Sequence, residues 1–240
     1  MAISIDIVLP CYNPGAAWSQ NIVDSFQELV NIHPDVKFGL IIVNDGSNKK
    51  IQEDDLQKIR NTVECFNWIG YIENKGKGFA LRKGVQLSEA TYILYTDIDF
   101  PYEIQSVSSI INTLLKDDVD IIAGSRGEAY YEKVPFVRIM ISKVLRFFNR
   151  TFLNMKIYDT QCGLKAFNQK GKNIFLETTI NRYLFDLEFV YLASNAEDIK
   201  IIPVNVQLKP GVVFSKMNFK VLRSELMSFI GIVRKHYSRG

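Results

Sequence analysis

Long apolar runs are missing from this chain of 240 residues. No stretch reaches the roughly 18 consecutive apolar residues that a membrane-spanning helix needs, so any membrane contact is expected to be peripheral. The opening, Met1-Ala2-Ile3-Ser4-Ile5-Asp6, has no basic leader and meets an acid early, unlike a secretory signal. Cysteine is scarce. Cys11, Cys65 and Cys162 are odd in number and lack zinc-ligand spacing, which speaks against a disulfide framework and fits a reduced, cytosolic setting. Excess charge is slight: 29 Lys and Arg against 26 Asp and Glu leave a net +3, too little to argue for a nucleic-acid partner. Internal repeats and low-complexity linkers are absent as well.

What is present suits a globular domain: 47% hydrophobic and 23% charged residues. A chain this long can bury a sizeable core, and its length fits one domain with a modest appendage. The pattern divides it into residues 1–216 and a basic amphipathic segment, 217–240. Through the first half, apolar strands alternate with helical periods. Strands are expected at Ile3–Leu9, Gly39–Val43, Trp68–Ile72, Tyr92–Tyr95 and Val119–Ala123. Helices are expected at Trp18–Val30, near Glu53–Cys65, up to about Leu87, and at Ile104–Leu115. This rhythm predicts an α/β fold, a mostly parallel, Rossmann-like sheet with helices on both faces. Further on come a short apolar stretch at Leu164–Phe167, helices near Lys170–Thr178 and Asp186–Asn195, a late strand at Ile199–Val206, and a closing amphipathic helix over Phe219–Tyr237.

Sheets of this kind bind ligands at the carboxyl ends of their strands, and the polar clusters fall there. Asp97-Ile98-Asp99 follows the fourth strand. Two carboxylates in that spacing suit Mg2+ or Mn2+, hard cations that share oxygen ligands with phosphates; an acidic turn without a ligand is the plainer alternative. Asp45, in Asn44-Asp45-Gly46-Ser47, is placed to accept hydrogen bonds from a base or ribose, although Asp-Gly also marks a turn in any protein. After Pro10, Tyr12 is placed to stack on a nucleobase or merely to pack its loop. Asn74-Lys75-Gly76-Lys77-Gly78 opens a helix carrying Arg82 and Lys83. Glycines admit a phosphate close to the backbone and helix starts favour anions, but the spacing is not that of a Walker A loop, and a solvated basic turn fits the same residues.

Taken in order, Ile7 to Asn13, Val43 to Ser47, Asn74 to Gly84 and Asp97-Ile98-Asp99 resemble the family 2 glycosyltransferases of the GT-A fold. Gly124-Ser125-Arg126, Asp159-Thr160-Gln161-Cys162-Gly163-Leu164-Lys165-Ala166-Phe167, Phe185-Asp186-Leu187-Glu188 and Ser215-Lys216 look like its dolichyl-phosphate glucosyltransferase and polyprenyl-phosphate sugar synthase branch. The resemblance implies a sugar-nucleotide donor, a UDP-sugar, bound by Pro10, Tyr12, Asn13, Asp45, Lys75, Gly76, Lys77, Asp97, Ile98, Arg126 and Lys216. It implies a divalent metal at Asp97 and Asp99, with Asp99 coordinating it. Arg126 and Lys216 would balance diphosphate or acceptor-phosphate charge, and the chemistry would be one inverting displacement. Pro14 stands where the family often has an acid, and Asn44 where the branch often has the first of two; both leave base and sugar open.

Asp186 and Glu188 are the candidates for a general base if the acceptor is a hydroxyl. An ionised phosphate acceptor needs none, and acids at a helix start are also favourable on their own. The basic, aromatic stretch Phe136–Leu153 and the basic end of the closing helix fit the plane of an anionic bilayer. Core packing or a homodimer interface would use the same apolar faces. The expected partners are therefore a nucleotide sugar and a lipid-phosphate acceptor, peripherally at the cytoplasmic membrane face. The rival readings are transfer to a saccharide hydroxyl in a surface polymer, and a catalytically silent sugar-nucleotide-binding subunit.

Overall fold

The computed structural model of the chain describes residues 3–116, 118–127, 140, 155, 157, 159–212 and 229–233. Five strands alternate with four helices: β1 (Ile3–Cys11), α1 (Trp18–Ile32), β2 (Val36–Asp45), α2 (Glu53–Thr62), β3 (Cys65–Tyr71), α3 (Lys77–Leu87), β4 (Tyr92–Tyr95), α4 (Ile104–Lys116) and β5 (Ile121–Arg126). Then follow β6 (Lys165–Phe167), α5 (Gln169–Leu176), α6 (Phe185–Ser194) and β7 (Ile201–Val206). The sheet runs in the order β3-β2-β1-β4-β6-β5-β7. Its pairs are parallel, except that β6 is antiparallel to both β4 and β5. The α/β expectation therefore holds.

The central strands are apolar on both faces. Ile7, Val8 and Leu9 of β1 and Leu40 to Val43 of β2 are all buried, as a sheet covered on both sides requires. On one face α1 lays down Trp18, Ile22, Phe26 and Leu29, and α4 adds Ile104, Val107, Ile111 and Leu114. These residues recur at helical spacing along one stripe. On the other face α3, α5 and α6 pack Leu81, Val85, Phe175, Phe185 and Phe189 against Val8, Ile41, Tyr95 and Phe167. Phe175 lies 5.4 Å from Phe167 and 5.0 Å from Phe189, centroid to centroid. Phe175→Ala would remove the hub of that cluster, which also touches Tyr95 and Phe185, at about 3–5 kcal/mol.

Most expected boundaries shift by a few residues; the strands expected at Gly39–Val43 and Trp68–Ile72 are Val36–Asp45 and Cys65–Tyr71. The helix placed near Glu53–Cys65 stops at Thr62, because Val63 is extended (φ −110°, ψ 108°) and Cys65 already pairs with Gly39 of β2. The strand expected at Val119–Ala123 runs on to Arg126, since Gly124 to Arg126 pair with Val204 to Val206. The apolar stretch at Leu164–Phe167 becomes β6, wedged between β4 and β5. The stretch Phe136–Leu153 (Met140 apart), Lys216 and most of the closing helix lie outside the described residues. Of that helix, 229–233 is helical, and Ile232 is buried with Met155, Leu187 and Val190. Among the described residues, no helix is long and apolar enough to cross a membrane.

Candidate active site

Parallel pairing brings the carboxyl ends of β2, β1, β4 and β5 to one edge of the sheet. The loop before β6 reaches the same edge because β6 runs the other way. Asp45, Tyr12, Asn13, Asp97, Asp99, Arg126 and the segment 159–163 therefore share this edge.

Asp45 is buried, with 3% of its surface accessible, and its carboxylate is fully engaged by the protein. Tyr71 Oη donates to Oδ1 at 2.7 Å, Asn74 Nδ2 to Oδ2 at 2.9 Å, the Lys75 amide to Oδ1 at 2.7 Å and the Gly76 amide to Oδ2 at 2.9 Å. Burial, followed by the hydrogen bond to Asp45, pushes the Tyr71 hydroxyl well up, so it stays a donor. Gly76 can close this turn because its φ is +104°, a conformation that a side chain would strain. Past Lys77, the amides of Gly78 and Phe79 donate to the Asn181 carbonyl at 2.8 and 3.2 Å. The amides of Lys75, Gly76, Gly78 and Phe79 are thus bound to protein acceptors. The loop also carries two cationic side chains, exposed Lys75, whose Nζ lies 4.9 Å from the Phe79 ring centroid, and Lys77.

The first loop is stapled in the same way. Asn13 takes a positive φ of 48°, its amide donates to Ser47 Oγ, and its Oδ1 accepts from the Asn48 and Lys49 amides at 3.1 and 3.0 Å. Pro10 is half-buried at the end of β1, while Tyr12 stands 48% exposed, an aromatic face open to a planar ligand. Burial pushes the neighbouring Cys11 thiol up to about 12, which leaves it inert. All three cysteines are free.

At the end of β4, the Phe100 amide donates to the Asp97 carbonyl at 3.0 Å, and Phe100 adopts a positive φ of 48° with its ring buried. Ile98 packs on the core. Asp97 accepts from Lys77 Nζ at 2.5 Å. Burial opposes the Lys77 charge, but Asp97 and Asp186 outweigh it and hold the ammonium above its ordinary 10.5. Asp99 reaches solvent; partial desolvation, then the Asp97 charge, raises its carboxyl above the ordinary 3.8. An accessible carboxylate beside a second one fits a hard divalent cation. Among the described residues no group of three or more His, Cys, Asp or Glu gathers around one point, so ligand oxygens would have to complete the shell.

Arg126 ends β5. Its Nε and Nη2 donate to the Asp159 carboxylate at 2.8 and 2.6 Å, and its amide donates to the same group at 2.7 Å. This forked pairing orients the guanidinium. Asp186 and Glu188, considered above as bases, are buried and engaged. Asp186 Oδ1 accepts from Lys165 Nζ and Tyr95 Oη, both at 2.6 Å. Glu188 accepts from the Thr179 and Ile180 amides and the Thr179 hydroxyl, each at 2.8 Å. Arg82 donates to the Ile180 carbonyl at 2.8 Å and to Asn181, which ties the same segment to α3.

Lys165, Asp159, Tyr71, Asn74 and Tyr95 were not singled out by their chemistry in the sequence. Asn74 and Asp159 stood within quoted motifs, and Lys165 left a signal of its own, a charge set inside the apolar run Leu164–Phe167.

A parallel sheet with one reversed strand, and an acidic, cation-flanked ligand edge, define the GT-A architecture. A family model described as glycosyl transferase family 2 matches residues 6–174, and the chain belongs to that family. It is 29% identical over 204 residues to a dolichyl-phosphate beta-glucosyltransferase of Dictyostelium discoideum, covering 80% of this chain and 62% of that protein. It is 25% identical over 258 residues to the Saccharomyces cerevisiae enzyme of the same name, covering 99% and 76%. Glucosyl-3-phosphoglycerate synthase from Mycobacterium tuberculosis, solved with Mn2+, UDP and phosphoglyceric acid, shares the fold: TM-score 0.56, 17% identity, covering 92% of this chain and 73% of that one.

Proposed function

We propose that this protein is an inverting glycosyltransferase that moves a hexose from a UDP-sugar to a polyprenyl-phosphate-type lipid, with Mg2+ or Mn2+ held at Asp97 and Asp99. Family membership and the two relatives named for dolichyl-phosphate glucosyl transfer support the reaction class. UDP and Mn2+ in the structural neighbour support donor and metal. The observation that carries the choice of acceptor is the engagement of Asp186 and Glu188. Both are buried; both oxygens of Glu188 are taken by internal donors, and Asp186 Oδ1 is paired with Lys165 and Tyr95, so neither is a freely solvated carboxylate waiting for the proton of a hydroxyl. A phosphate oxygen ionised near neutral pH attacks without that help.

In this reading Tyr12 stacks on the base, and Lys75 and Lys77 bring positive charge to the donor side. Arg126, aimed by Asp159, faces the diphosphate or the acceptor phosphate, together with Lys216. A bound divalent cation supplies Lewis-acid stabilisation of the leaving diphosphate. Asp99 offers it the open carboxylate, while Lys77 holds Asp97 in place. The enzyme works peripherally at the cytoplasmic membrane face, through the basic apolar stretch 136–153 and the basic tail. Flotation with anionic liposomes should succeed at low salt and weaken at high salt.

The deciding test offers UDP-glucose, other UDP-hexoses and GDP-mannose with a short polyprenyl phosphate, and identifies the product by mass spectrometry with and without EDTA. A glycosyl lipid phosphate formed from a UDP-hexose and lost with EDTA is the expected result. Product from a saccharide hydroxyl acceptor alone would overturn the assignment.

A further inference from the structure

The segment Asp159 to Lys165 ends in a charge that the proposed reaction does not use. Lys165 is wholly buried in the middle of the sheet, opposite Tyr95 on one side and Ala123 on the other. An ammonium has three protons to place, and here each finds an acceptor: the Thr160 carbonyl at 3.1 Å, the Cys162 carbonyl at 2.7 Å and Asp186 Oδ1 at 2.6 Å. Tyr95 Oη donates to that same carboxylate oxygen. A buried ion pair is a poor source of stability, because well-packed apolar groups of the same volume often do as well or better. What the ammonium achieves is local: two of its three bonds go to the backbone of one loop.

That loop touches both halves of the candidate site. At its start Asp159 grips Arg126 through side chain and backbone. At its end Gly163 donates its amide to Tyr102 Oη at 3.0 Å and lies against the Asp97–Lys77 pair. A methyl group at position 163 would sit 2.8 Å from Asp97 Oδ2 and 3.3 Å from Lys77 Nζ. Moving the loop therefore moves Arg126 and Asp97 relative to each other.

We propose that Lys165, anchored by Asp186 and Tyr95, is a positioning residue that sets the 159–163 loop and through it the spacing of Arg126 and Asp97. Its effect on turnover rests on the glycosyl-transfer reading above; its effect on the loop does not. The single change Lys165→Met leaves Asp186 buried without its counter-ion and is at risk of misfolding. The test therefore uses the apolar triple variant Lys165→Met/Asp186→Leu/Tyr95→Phe beside it, and compares thermal melting, amide exchange of 159–163, UDP affinity with Mn2+, and transfer. The expected triple variant melts cooperatively above the single variant, exchanges its 159–163 amides faster than wild type, binds UDP more weakly and loses about 10²-fold in kcat, the scale of a 1 Å misplacement. A folded triple variant with wild-type exchange and UDP affinity would overturn the proposal. If the wild type transfers no sugar to any acceptor, the functional reading falls, and the exchange measurement still decides the role of Lys165.

Discussion

Replacing Asp45 by Asn separates a loop staple from a ligand contact. The carboxylate receives Tyr71 Oη and the Lys75 amide on Oδ1, and Asn74 Nδ2 and the Gly76 amide on Oδ2. An amide has one acceptor oxygen, and its NH2 must face one of these pairs. With the oxygen at the Oδ2 position, Tyr71 Oη and the Lys75 amide lose their acceptor; with it at Oδ1, Asn74 Nδ2 and the Gly76 amide meet the NH2, although they keep the Asp45 carbonyl at 3.0 Å and Oδ1 at 3.2 Å. Each such loss costs about 1–3 kcal/mol when buried. Asn74 and Lys75 lie near water, which can replace part of it, so a loss of about 2–3 kcal/mol is expected. For a chain of this size that corresponds to a fall of about 5–10 °C in melting temperature. UDP affinity should fall as a consequence, because the released loop carries Lys75 and Lys77. Differential scanning calorimetry and UDP titration on the same sample measure both. An unchanged melting temperature with a collapsed UDP affinity would refute the staple and make Asp45 a direct nucleoside ligand.

UDP titrated with Mn2+ should bind more tightly than with EDTA, and Asp99→Asn should erase the difference; equal affinities in wild type would defeat the metal assignment. Gly163→Ala crowds Asp97 Oδ2 at 2.8 Å, so its metal-dependent UDP binding should weaken while its melting temperature changes little. Glu188→Gln should lower stability and leave the pH profile of kcat unshifted, whereas a loss in kcat that recovers at high pH would reveal a general base. His33 is buried and bonded to Ser108 Oγ at 2.9 Å, and burial lowers its pKa from 6.5. The unfolded chain then takes up a proton that the folded state resists, so stability should drop as pH falls through about 6.5. His33→Gln should flatten that slope.

The strands of the first half were legible because each carries an apolar run long enough to span a sheet covered on both faces, as Ile7 to Leu9 and Leu40 to Val43 do. β6 was not, since three residues with a lysine among them carry no period. Asp97, Asp99 and Arg126 were legible as strand-end groups, because chain order alone places them at one edge. The partners were not. Asp45 meets Asn74 and Gly76 across about thirty residues, and Asp186 meets Lys165 and Tyr95 through the fold, so no local spacing announces those pairs. The acids at 186 and 188 looked available in sequence because exposure, which decides whether a carboxylate can act as a base, is a tertiary property.

The reversed strand has a consequence for how the chain is made. β1, β2, β3 and β4 lie within residues 3–95 and can pair as soon as they leave the ribosome. β5, finished at Arg126, finds no neighbour among them, because β6 separates it from β4 and is not synthesised until residues 165–167. Until then the far edge of β4 is an open template for another chain. Synthesis at about 5–20 residues per second keeps that edge bare for several seconds. A ribosome-bound nascent chain stalled near residue 130 should thus be more prone to aggregation than one stalled past α6, and early folding intermediates of this protein should be trapped by strand-like peptides that the finished enzyme ignores.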